Sequence, residues 1–395
     1  MGLADRALNP FQGKNAVKPP PGHEPGALEW DGEKGTLHTP LMPETTVWDD
    51  TLREHTPFSP ETHMIVPPVK YKTWTMPGSE DPHYWYALTI VERTSSARLA
   101  DVEELSLAIG KRKARPRSDL LSSGTHLHVC LADWQAGKAE RGGIAELGNR
   151  VEALGAQVES RWKELKRLKL EPSVLHVNGL GDLVENCRGF YSGQHFQIDS
   201  NLRTQRRFVR RALLELLDRW GRFAPEVHVH AVGGNHGENR ATEGSDTDAA
   251  DNFDVAVFED CADAMALNPE RYHNYKWQLP EHDLTLTYAH DNFVIGMAHG
   301  HQAQGKDLIK WWAGQMKGRR PVGDADLLVT GHYHHTVVNQ EGPRTWIQCP
   351  TLDGGSPYFA EKTGLESPPG TMTFVTDGAG WFGMEVMPAP EQQLS

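Results

Sequence analysis

Cysteine is scarce: four residues in 395, Cys130, Cys187, Cys261 and Cys349, lie far apart and never form a Cys-x-x-Cys pair. That spacing excludes a thiolate zinc knuckle and a disulfide framework, and it suits a reducing compartment. Long apolar runs are missing too. No segment approaches the roughly 20 apolar residues that cross a bilayer, and the start, MGLADRALNPFQGKNAVKPPPG, lacks the basic and apolar regions of a secretory signal. The expectation is a soluble, cytoplasmic chain with no membrane partner. Basic residues are outnumbered, 40 Lys and Arg against 53 Asp and Glu for a net charge of -13. This argues against a protein that coats nucleic acid through bulk electrostatics, while leaving room for a local basic patch.

No internal repeat is visible, and at about 100–200 residues per domain the length allows two or three domains. Residues 1–78 are rich in Pro, Gly and charge (NAVKPPPGHEPG, HTPLMPETT, VPPVKYKTWTMPG) without a sustained apolar period. They read as an amino-terminal arm, a place for a protein partner to dock. Residues 79–124 read as a small β/α extension, with a strand at Tyr84–Val91, a short helix at Leu99–Ile109 and a basic linker at Lys111–Arg117. From 125 to 390, apolar runs alternate with helical stretches, as an α/β domain requires. Strands are expected at His126–Ala132, Val174–Asn178, Val227–Val232, Leu284–Tyr288, Phe293–Met297, Leu327–Thr330, Thr345–Gln348 and Thr371–Val375. Helices are expected at Ile144–Leu170, Arg203–Trp220, Val255–Ala266 and Lys306–Met316.

Polar residues cluster where these strands end. LADWQ, NGLGD, VGGNH, MAHGH and VTGHYHH supply Asp133, Gln135, Asp182, Asn235, His236, His299, His301, His332, His334 and His335. Loops at the carboxyl ends of strands in an α/β sheet converge on one crevice, so these residues should meet in space. Carboxylates, imidazoles and amides without thiolate suit Mn, Fe, Zn or Mg. The set exceeds what one ion needs; two divalent ions about 3.5–4 Å apart would use it, in the clamp that serves in-line attack on phosphorus.

The ordered series Asp133-Trp134-Gln135, Gly181-Asp182, Gly234-Asn235-His236, His299-Gly300 and Gly331-His332-Tyr333-His334 resembles that of the calcineurin-like metallophosphoesterases. Within them it is most similar to phage-encoded phosphoesterases, which would place it in a host cytoplasm, and more distantly to SbcD-type nucleases. The resemblance implies an α/β fold, a β-sandwich of two mixed sheets flanked by helices. It implies that Asp133, Gln135, Asp182 and His334 hold one ion, Mn being favoured, and that Asp182 bridges to a second held by Asn235, His299 and His332. His236 would be the acid that protonates the leaving oxygen, after attack by a hydroxide held between the ions. The expected reaction is phosphodiester hydrolysis, with DNA or RNA as substrate and partner. Two departures stand out: Gln135 occupies a position where the family usually has His, and the acidic residue that often follows His236 is displaced to Glu238.

Other features have plainer readings. His126, His128, His228 and His230 alternate with apolar residues along strands, a sheet-face pattern. Arg203, Arg206, Arg207, Arg210 and Arg211 share one side of a helix, most simply a solvated face. Lys306, Lys310, Lys317, Arg319 and Arg320 surround Trp311 and Trp312, which suits either a nucleic-acid track or two core tryptophans. His301, Arg207 and Lys306 are candidate substrate contacts. The acidic stretch from Glu238 to Asp263 reads as a loop over the site or a solvated connection. Two alternatives compete with a nuclease: a phosphomonoesterase of proteins or nucleotides, and a non-catalytic binding protein whose metal site has degenerated at Gln135.

Overall fold

A computed structural model of the chain describes residues 19–30, 34–43, 48–60, 62–75, 82–92, 107–113, 124–187, 189–191, 193–242, 245–246, 248–304, 307–355, 361 and 367–390. The chain divides into two compact units, Met1–Arg98 and Leu99–Ser395.

In the first unit, strands β1 (Leu28–Trp30), β2 (Lys34–His38), β3 (Met42–Pro43), β4 (His63–Thr75) and β5 (Pro82–Glu92) form one antiparallel sheet centred on β5. Helix α1 (Trp48–His55) contributes Leu52 to a small core with Leu37, Tyr86, Leu88 and Ile90. The described part of the expected arm is therefore a folded sheet. Its core was hard to read because short strands such as Lys34–His38 bury only alternate residues and are separated by Pro and Gly turns. The strand expected at Tyr84–Val91 is β5. Only residues 107–113 of the helix and linker expected after it are described, and 107–110 are helical.

In the second unit, β6 (His126–Leu131), β7 (Val174–Gly179), β8 (Glu226–Ala231) and β11 (Tyr275–Gln278) are parallel, and antiparallel β17 (Gly370–Thr376) and β18 (Trp381–Pro388) extend the sheet on the β6 side. A second sheet places β13 (Phe293–Ala298), β14 (Leu327–Thr330) and β16 (Arg344–Gln348) in parallel between antiparallel edges β12 (Thr285–His290) and β15 (Val337–Glu341). The result is the expected α/β sandwich of two mixed sheets flanked by helices.

Period-two alternation explains how it closes. Along β6, Leu127, Val129 and Leu131 face helices α2 (Gly143–Arg167) and α3 (Leu202–Trp220), whereas Cys130 faces Met297, Val329, Ile347 and Cys349 of the second sheet. Helix α2 buries Ile144, Leu147, Val151, Leu154, Val158, Trp162 and Leu165, the spacing of a single helical stripe. Helix α4 (Phe253–Ala266) completes that layer with Val257, Phe258 and Cys261. A four-residue helix, α5 (Pro269–Tyr272), follows it. On the outer face of the second sheet, α6 (Leu308–Lys317) packs Leu308 and Trp312 against Leu328 and Trp346. Trp312 donates its Nε1–H to the Val322 carbonyl at 2.7 Å, and half-buried Trp311 packs on the same cluster, so both tryptophans take the core role. All four cysteines are free. No described helix is long and apolar enough to cross a membrane.

Candidate metal centre

The strand-end loops turn sharply, and the turning residues are the polar ones. Asp133, Gln135, Asp182, His332 and His334 have φ of 53°, 44°, 53°, 74° and 59°, a left-handed conformation that costs a non-glycine residue free energy and is found where function requires it. The loops are tied together by backbone bonds, Asp133 N–H to Gly181 O at 3.1 Å, Gln135 N–H to Asp182 O at 2.9 Å and Gly331 N–H to His299 O at 2.8 Å. Glycine is required where they cross: Gly181 has φ of 87°, and a Cβ there would collide with the backbone of Gly234.

Asp182, His299 and His332 each aim a donor atom into one place, all within 4.8 Å of one another. His299 Nε2 lies 3.0 Å from Asp182 Oδ2 and 3.1 Å from Asn235 Oδ1. Its Nδ1 is 2.6 Å from the Leu180 carbonyl, which fixes the proton there and turns the Nε2 lone pair to the site when a cation is present. Alongside, Asp133 Oδ1 sits 3.3 Å from His334 Nε2, while Oδ2 accepts the His332 N–H at 2.9 Å. Asp133 Oδ1 is buried without a hydrogen-bond partner, a costly state for a carboxylate oxygen unless a cation faces it. Burial would raise the Asp182 carboxyl, yet His299 and His236 hold it far below the usual carboxylate range. Burial likewise pulls His299 down, but Asp182 lifts it to about 9. His332 falls to about 4 through burial and the neighbouring His299 charge. With carboxylate, imidazole and amide oxygen converging, the donor set fits a divalent cation.

His236 stands at the rim. Its backbone N–H donates to Asp182 Oδ1 at 2.7 Å, and its Nδ1 lies 3.1 Å from the Glu185 carbonyl and 3.3 Å from Glu185 Oε2. Phe190 stacks on the ring at 4.8 Å, and the Arg240 guanidinium covers Phe190 at 4.1 Å. Burial lowers the imidazole, but Asp182 and Glu185 outweigh it and raise it to about 10. Glu185 is thus the carboxylate that orients His236. The displaced Glu238 instead pairs with Arg240 at 2.7 Å and lies 3.6 Å from His301.

Besides Glu185, sequence reasoning missed three further groups. Asp254 accepts the N–H groups of Asp182, Leu183, Val184 and Gly234 at 2.8–3.2 Å, stitching two strand-end loops to the start of α4. Burial and the Asp182 charge raise it to about 6. The others are Lys138, whose Nζ reaches Asp353 Oδ2 at 2.5 Å and Gln135 Oε1 at 3.3 Å, and Asp353 itself. An ammonium group therefore competes with any cation for the Gln135 oxygen. Local signals existed only for Glu185, three residues after Asp182, and for Asp254, in an Asn-x-Asp helix start.

The structure brings together Asp133, Gln135, Asp182, Asn235, His236, His299, His332 and His334. His301 is adjacent, its ring 5.4 Å from His299. Arg207 is a half-buried residue of α3. Lys306 lies outside the described residues. The arginine face of α3 is partly neutralised, Arg206 and Arg210 both pairing with Asp260 at 3.7 and 3.5 Å. The acidic stretch beyond Glu238 is partly ordered by Asn239 donating to Asp251 at 2.9 Å and by α4.

Fold and site define a class: a two-sheet α/β sandwich whose carboxyl edge carries an Asp, Asn and His cluster suited to a divalent cation. No family model matches the chain, and no curated protein matches its sequence. Among solved structures it is similar to a predicted phosphoesterase from Streptococcus pneumoniae, at 11% identity over 68% of this chain and 94% of that one, TM-score 0.29. It is similar to an archaeal phosphodiesterase at 12% identity, 66% and 99% coverage, TM-score 0.30. A zinc-complexed Vps29 from Entamoeba histolytica gives 14%, 67% and 99%, TM-score 0.30. Likenesses this low leave function to be argued from the side chains.

Proposed function

We propose that the chain is a metal-dependent phosphoesterase that hydrolyses phosphodiesters, with nucleic acid as the favoured substrate. The observation that carries this reading is the convergence of Asp182, His299 and His332, with Asn235, beside an imidazole held by Glu185. Divalent ions, Mn first, would be held by Asp182, Asn235, His299 and His332 and, in a second position, by Asp133, His334 and Gln135. Bound there, they supply Lewis-acid stabilisation of phosphoryl charge and a nucleophile at neutral pH. The protein's own groups do the rest. Glu185 keeps His236 protonated and fixes its ring, so that Nε2 can deliver a proton to a departing alkoxide. Leu180 and Asp254 hold His299 and the loops in place. Beside the His299–His301 loop a groove lined by Gln302, Trp311, Gln315 and Arg320 offers room for the substrate beyond its phosphate.

The test is hydrolysis by the full chain with Mn, Zn or Mg on linear DNA, RNA, a bis-aryl phosphodiester and an aryl phosphomonoester. Faster turnover of the diester or of nucleic acid supports the reading. A faster rate on the monoester favours a phosphatase, and no turnover with metal bound defeats catalysis altogether. The Lys138–Gln135 contact favours a second reading, a binding protein whose Asp133–His334 cation position is weakened. Its mark is fewer than two Mn ions bound per chain.

A further inference from the structure

Away from the strand-end residues, the space between the two sheets changes character. The inner-face positions that carry Cys130 on β6, Leu180 after β7 and Val232 after β8 carry histidine further back along the same strands: His126, His128, His176, His228 and His230. Period-two alternation puts all of them on one face.

We propose that His176, His228 and His230 form a separate site for a borderline transition-metal ion such as zinc. His176 and His228 are register partners on adjacent parallel strands, and His230 is the next same-face residue along β8. Neighbouring strands lie about 4.8 Å apart and same-face residues about 6.7 Å, so the rings form a triangle around one point. Their donor atoms fall within 4.8 Å of one another. His176 Nδ1 and His230 Nε2 are 3.1 Å apart, close to the roughly 3.3 Å between two nitrogens bound at about 2.05 Å to one tetrahedral zinc.

Two of the three other ring nitrogens have the partners that metal-bound imidazoles need. His228 Nε2 is 2.9 Å from Glu226 Oε2, and His176 Nε2 is 3.0 Å from His126 Nδ1. His230 Nδ1 is buried without a hydrogen bond, and Gln278, its register partner on β11, flanks that ring. Burial keeps these imidazoles neutral, the form that ligates. The Glu226 oxygen that faces His228 is shared with the Lys276 ammonium at 2.9 Å, and half-buried His228 opens a path to solvent. No sulfur donor takes part, which favours zinc, cobalt, nickel or copper over a thiolate-type site.

The site is independent of the phosphoesterase reading and is tested apart from it. The chelator-stripped full chain, its Asp182→Asn/His332→Gln variant and a His228→Gln variant are loaded with zinc and their metal measured after desalting. The expected result is that the Asp182→Asn/His332→Gln variant retains one zinc per chain, and that adding His228→Gln to it removes that zinc. Cobalt in the same double variant should give tetrahedral nitrogen-site absorption. Zinc retention unchanged by His228→Gln would overturn the proposal. Should the variants fold poorly, modification of His228 by diethyl pyrocarbonate in the wild-type chain decides: protection by zinc supports the site, and equal modification with and without zinc refutes it.

Discussion

At the scale of single residues, the strand-end site is a set of carboxylates holding other groups in place. Glu185 has one oxygen committed to Tyr191 and Gln194 and the other facing His236. Glu185→Gln keeps the shape and removes the charge, so His236 keeps Asp182 but loses the second of the two carboxylates that raise it. The expected outcome is a fall in kcat of about 10–100-fold with KM little changed, at or below the low end of the roughly 10²–10⁴-fold that a general acid itself contributes, read by steady-state kinetics on a diester. Asp254 has a different duty. Asp254→Ala strands four buried N–H donors, and at about 1–3 kcal/mol for an unsatisfied buried group it should cost at least about 3 kcal/mol of stability in a denaturant melt. Gln135→His, paired with Lys138→Met to release the position, should raise Mn binding at the Asp133–His334 side, seen as added stoichiometry in calorimetry.

At the scale of elements, what the sequence made legible follows burial. Strands β6, β7, β8, β13, β14 and β16 are largely buried and carry Val, Leu, Ile or other apolar residues at least at every second position, so their positions were visible within a residue or two. Edge strands β11, β15 and β18 are half-buried or exposed along nearly all their length and left no apolar run to find. The strand-end motifs were legible because their chemistry sits next to those buried runs. Lys138 and Asp353 were not, since they lie 215 residues apart and no local period encodes such a pair. The helix starts are a local device by contrast. Asn201 accepts the Thr204 N–H at 3.0 Å to begin α3, and Asn201→Ala should cost about 1 kcal/mol without altering metal binding, a pairing of results that separates a cap from a ligand.

At the scale of the whole molecule, a chain of net charge -13 still depends on a few carboxylates being ionised against fixed cations. Asp218 on α3 is the clearest. It accepts bonds from Arg271 at 2.9 Å, Arg222 at 3.1 Å and the Tyr272 hydroxyl at 3.2 Å, with Arg112 at 3.3 Å, joining α3 and α5 to the 107–113 segment within the second unit. Burial alone would raise its carboxyl, but the three arginines overcome it and hold the pKa below the ordinary value. A carboxylate depressed in the folded state binds fewer protons there than in the unfolded chain, so it contributes stability above the unfolded pKa of about 3.9. That contribution drains away as pH falls through the lower folded value. Asp218→Asn should therefore be less stable than wild type at pH 7, and the gap between the two should narrow as pH drops below about 4. Urea melts of both proteins from pH 7 to 3 measure it, and a gap independent of pH would mean that the arginines merely pack against this residue and its charge contributes nothing.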